Sequence, residues 1–81
     1  MAGRIAADPI RPFRLDFTPL RRIRNYRLIS RAALARSAGV HWTAIYRLEF
    51  NRTKNPSLKL LVALSRSLGV PMYELFHTVE E

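Results

Sequence analysis

Eighty-one residues with fourteen basic and six acidic side chains, a net charge of +8, bound one small domain with a modest core. Apolar residues make up 48% of the chain, which excludes wholesale disorder, and the absence of cysteine excludes a disulfide staple or a thiolate metal site. All the basic residues except Lys54 and Lys59 are arginine, whose planar fork suits phosphate and guanine, so the charge points to a polyanionic partner.

Residues 1–8 are small, polar or alanine-rich and read as a loosely held terminus. They contain no apolar run long enough for a signal peptide. From residue 10 the pattern turns to period two: Phe13, Leu15 and Phe17 alternate with Arg14 and Asp16. An extended or β arm is expected there, and Pro9 and Pro12 keep it out of a helix. Three uses of the arm stand open. It is a lead-in whose phenylalanines lie on the core, a strand that pairs in a dimer, or a basic arm of Arg4, Arg11 and Arg14 reaching into a minor groove. The apolar alternation favours packing or pairing.

Thr18 and Pro19 open the first helix, threonine as its cap and proline in the first turn, where a missing N–H is no loss. Leu20, Ile23 and Tyr26 or Arg27 recur at helical spacing, so the helix runs to about residue 27 or 28. Arg21, Arg22 and Arg24 occupy its other faces. Ser30 caps a short, alanine-rich second helix over residues 31–38, anchored by Leu34, and Gly39 supplies its left-handed stop. A third helix follows at residues 42–50, with Ile45 and Leu48 inward and Trp42, Thr43, Tyr46, Arg47 and Phe50 outward. Asn51 tolerates the left-handed stop that glycine usually fills.

After a polar loop at residues 52–56, Ser57 caps a fourth helix carrying Leu58, Leu61, Leu64 and Leu68, and Gly69 ends it. Lys59 and Arg66 interrupt this most apolar run, which is also too short to span a bilayer. A cytoplasmic protein without a membrane span is expected. Pro71 starts a fifth short helix through Met72, Leu75 and Phe76, and the tail beyond it frays. The sequence therefore predicts an all-α, compact five-helix domain at residues 19–77, with an N-terminal arm at 1–18 and a tail at 78–81.

Two short helices joined by a glycine turn, the second with a hydrogen-bonding outer face, make a helix-turn-helix layout. Residues 20–76 resemble the phage-repressor/Cro-type helix-turn-helix family, the xenobiotic-response-element type. The matching marks are Leu34 and Ala35, Gly39 and Val40, Ile45, and Leu48 with Glu49. Asn55, Pro56, Ser57 and Leu58 continue the series, as do Leu64, Leu68 to Val70, and Glu74 to Phe76. The resemblance implies a DNA-binding transcriptional regulator, most often a repressor, that binds a palindromic operator as a homodimer. By position, Trp42, Thr43 and Arg47 would face base edges with Tyr46 beside them, and Arg31, Arg52 and Lys54 would touch phosphate. Arg31 stands where the family often has glutamine, and Trp42 where a polar residue is usual.

Arg47 is the first candidate reader, because arginine on guanine O6 and N7 is the commonest specific contact. Arg21, Arg22 and Arg36 are read as either phosphate contacts or a solvated face. Glu49 is the lone acid between Asp16 and Glu74, and needs a partner to sit near DNA. Arg24 is its expected ion-pair partner, as in the family, in a structural role. A single carboxylate has no second group for acid–base chemistry, and His41 and His77 have no further donors beside them for zinc. No enzyme activity, metal or cofactor is expected. The alternative is a protein-interaction module, such as an antitoxin or a factor docking on transcription machinery, motivated by the outward aromatics Trp42, Tyr46 and Phe50.

Overall fold

The computed structural model describes residues 12–80. Its elements in order are β1 (Phe13–Asp16), α1 (Thr18–Tyr26), α2 (Arg31–Ala38), α3 (Trp42–Glu49), α4 (Leu58–Leu68), a single 3₁₀ turn (Met72–Glu74) and β2 (His77–Glu80). The helices begin and end where local chemistry provides partners for free backbone groups. Ser30 accepts from the Ala33 N–H at 3.0 Å, and Ser57 from the Leu60 N–H at 3.1 Å. Gly39 and Gly69 close α2 and α4 in the left-handed conformation, at φ of 72° and 67°.

The core is made by one face of every helix together with the strand–helix junctions. Phe17, Leu20, Leu34, Ala35, Ile45, Leu48, Leu61, Leu64, Leu68 and Leu75 are buried in one cluster. The alanines of α2 leave little bulk, which suits a short helix held between α3 and α4.

The start of α1 shows how long-range contacts complete a helix. Thr18 lies inside the first turn, and Phe17, at the cap position, provides no side-chain bond. The capping group is Asp16, whose Oδ1 accepts from the Thr18 N–H at 3.0 Å and from its hydroxyl at 2.7 Å. Pro19 has no N–H to satisfy. The Leu20 N–H donates to the Leu75 carbonyl, the Arg21 N–H to the Phe17 carbonyl, and the Phe17 N–H to Asn51 Oδ1. Hydrogen bonds from Thr18 hold the Asp16 carboxyl down at about 2, against the opposing effect of partial burial, with Asn51 and nearby His77 helping.

The expected fifth helix does not form. The described residues contain four α-helices and a two-stranded antiparallel sheet, and only the three residues Met72–Glu74 turn, as 3₁₀. So short a segment cannot offset the cost of helix nucleation. Leu75 is drawn into the core instead, and its carbonyl is taken by α1. The tail is not frayed: residues 77–80 pair with the N-terminal strand in the register Phe13↔Glu80, Arg14↔Val79, Leu15↔Thr78 and Asp16↔His77. The pairing within one chain uses the alternation expected of the arm. Arg4 and Arg11, invoked for a minor-groove arm, lie outside the described residues.

Candidate nucleic-acid interface

The helix-turn-helix unit consists of α2, the Gly39 turn and α3. The back of α3 is fixed by Ile45, Leu48 and Glu49, all buried. Glu49 is only 2% exposed, and both of its carboxylate oxygens are taken. Arg24 of α1 binds it in a bidentate manner, Nε to Oε2 at 2.6 Å and one terminal nitrogen to Oε1 at 2.9 Å. The other terminal nitrogen of Arg24 donates to the Ile29 carbonyl at 2.8 Å. This pair ties α3 to α1 and to the segment entering α2, so its geometry orients the helix-turn-helix unit as a whole.

Arg31, the first residue of α2, makes a second ion pair with Glu49, from Nε to Oε1 at 2.8 Å. The sequence did not disclose this contact, because Arg31 and Glu49 stand eighteen positions apart on different helices. One nitrogen of Arg31 is thus committed to the protein, while its side chain remains 30% exposed.

The outward side of α3 carries the expected readers. Trp42 is 47% and Tyr46 37% exposed, Arg47 is exposed, and Thr43 is half-buried. Arg47 makes no side-chain hydrogen bond or ion pair with any described residue. The Thr43 hydroxyl lies 2.8 Å from His41 Nδ1, which also accepts from the Thr43 N–H. His41 is therefore the cap of α3, a role that sequence reading missed; its position just before the helix was the available signal. Arg52 and Lys54 are exposed in the loop after α3.

Trp42, Tyr46 and Phe50 follow at helical spacing and form a continuous aromatic ridge. Trp42 meets Tyr46 edge-on with ring centroids 6.1 Å apart, and Tyr46 lies 4.8 Å from Phe50. The Arg31 guanidinium packs over both Tyr46 and Phe50, at 5.4 and 5.5 Å from the ring centroids. The ridge thus lies along the side of α3 next to the start of α2. Among the described residues no group of three or more His, Cys, Asp or Glu could hold a metal ion, and no helix is long and apolar enough to cross a membrane.

Comparison with known proteins agrees with this geometry. A family profile described as helix-turn-helix matches residues 20–75. No curated protein matches the chain. Among solved structures, the restriction-modification controller protein C.AhdI from Aeromonas hydrophila is 27% identical. That match covers 73% of this chain and 88% of the controller protein, with a TM-score of 0.68. A hypothetical transcription factor, NHTF, from Neisseria is 25% identical over 89% of this chain and 83% of its own, with a TM-score of 0.62. The transcriptional regulator VanUg, at 19% identity, shares the fold over 96% of this chain and 100% of its own, with a TM-score of 0.73. The family match spans well over half of the sequence, and the chain belongs to the helix-turn-helix family, as a sequence-specific DNA-binding transcriptional regulator rather than an enzyme.

Proposed function

We propose that this regulator binds a palindromic operator as a homodimer, with α3 in the major groove, and acts as a repressor in the cytoplasm of a bacterium or of a phage host. Trp42, Thr43, Tyr46 and Arg47 face base edges, Arg47 as the principal reader. Arg31, Arg52 and Lys54 hold the phosphates on either side of the groove. Phosphate contacts supply affinity and register, and the few side chains of α3 supply sequence choice. In a dimer the two reading helices stand ~34 Å apart, one turn of the duplex.

The observation that carries this reading is the contrast between the two sides of α3. Its back is pinned by the buried Arg24–Glu49 pair, while Arg47 on its front is exposed and has no ionic partner among the described residues. A rigid helix presenting an uncommitted guanidinium suits bidentate recognition of guanine.

The test is selection of bound sites from random DNA by the wild-type protein and by Arg47→Ala. The variant is expected to relax one position in each half-site, with a loss of ~1–3 kcal/mol of discrimination there. An unchanged motif would remove Arg47 from base reading, and selected sites without two-fold symmetry would argue against the dimer. The exposed aromatic ridge supports a second reading, a protein-docking face; binding to DNA with almost no salt dependence would favour it.

A further inference from the structure

Three arginines, from α1 and α2, gather around the C-terminal half of α3, and only one carboxylate is there to meet them. Glu49 is shared by Arg24 and Arg31. Arg21, one turn before Arg24, places its guanidinium 5.3 Å from the centroid of the Phe50 ring, which Arg31 also covers. No described acid pairs with Arg21, so the cluster carries two positive charges in excess. Two guanidinium groups sharing one ring repel each other, and an anion lying against both removes that repulsion.

Phe50 itself is 41% exposed. Its edge continues the ridge of Tyr46 and Trp42, so the two cations lie beside the outward face of α3 and not at a distance from it. A flexible arginine loses side-chain entropy when it binds an anion; one already stacked on a ring has lost part of it beforehand.

We propose that Arg21 and Arg31 form a clamp for a backbone phosphate of duplex DNA, with Phe50 as the positioning residue that holds the two guanidinium groups together. The clamp rests on the reading that α3 lies in the major groove, and adds to it the contact that sets the depth and angle of α3. Arg21 is a binding residue here, whereas Phe50 acts through Arg21 and Arg31.

The test measures affinity for the selected operator and for a duplex of random sequence over a range of salt concentrations, using the full chain. Arg21→Gln is expected to weaken binding to both duplexes by a similar factor and to flatten the slope of log K against log salt by about 0.9, the amount for one phosphate. Phe50→Leu is expected to flatten the slope part of the way, Phe50→Tyr to restore it, and the double variant Arg21→Gln with Phe50→Leu to show less than the sum of the two changes. Thermal melts of each variant separate a folding defect, which lowers the melting temperature without flattening the slope. An unchanged slope in Arg21→Gln would overturn the clamp, as would a change of base preference at one position. Arg47→Ala, run in parallel, reports on the parent reading separately: selectivity retained there while Arg21→Gln flattens the slope would leave the clamp standing and reassign the base reader.

Discussion

Glu49 lies out of solvent between Arg24 and Arg31 with both oxygens occupied, and no buried side-chain nitrogen or oxygen among the described residues lacks a partner. Such an arrangement is costly to interrupt, because losing the acid strands a buried guanidinium. Glu49→Ala is expected to reduce stability by ~3–5 kcal/mol in denaturant titration, against a total for such domains of only ~5–15 kcal/mol. Asp16 offers a milder test with a pH signature. Its folded pKa, about 2, lies below the ordinary 3.8, so the stability it contributes is fully present above pH ~4 and is lost as pH falls toward 2. Asp16→Ala is therefore expected to lower the melting temperature at neutral pH, by an amount equivalent to ~1 kcal/mol for a helix cap. That deficit should shrink as thermal melts are taken from pH 4 downward, and a deficit constant with pH would count against the carboxylate as the cause. That Glu49 needs a basic partner was legible from a lone acid in a basic tract, and Arg24 as that partner leaned on the family resemblance. The second partner, Arg31, and the ring shared by Arg21 and Arg31 were not, since they depend on how three helices meet.

At the level of elements, α2, α3 and α4 start and stop close to where their sequences indicate. Serine, glycine and Asn51 act within one turn of themselves, so their signals survive without tertiary knowledge; Asn51 adopts the left-handed φ of 57°. The C-terminal segment behaves differently. Its apolar residues at Met72, Leu75 and Phe76 fit a helical spacing, but Leu75 serves as a plug for the core and Phe76 packs on Phe17 at 5.3 Å between centroids. The chain then leaves in extended form because β1 provides a ladder for it. An isolated two-stranded ribbon is marginal in water; this one persists because Leu15 and Phe76 rest on the helical core. Removing residues 77–81 takes away both the ladder and the His77–Asp16 contact at 3.2 Å. The truncated chain is expected to keep its helical circular dichroism but lose ~1–2 kcal/mol, a net backbone hydrogen bond contributing about 1 kcal/mol. Unchanged stability would mean that the sheet merely follows the core.

Over the whole molecule, the parts far apart in sequence converge on α3. The end of α3 reaches the start of α1 through Asn51, which accepts from the Phe17 N–H and donates to Asp16 Oδ1 at 3.2 Å. Asp16 in turn pairs with His77 of β2, so the N- and C-terminal strands support the same helix that is proposed to read DNA. The positive charge, visible in the composition, becomes useful only when folding gathers Arg21, Arg31 and Arg47 around that helix. By itself the sequence determined the four α-helices, the glycine turn and the outward face of α3, because capping groups and apolar periodicity act over a few residues. Only the tertiary structure decided that the last segment becomes a strand, that Arg31 shares Glu49, and that Phe50 gathers two arginines. Those outcomes depend on contacts between residues tens of positions apart, whose energies no local pattern encodes.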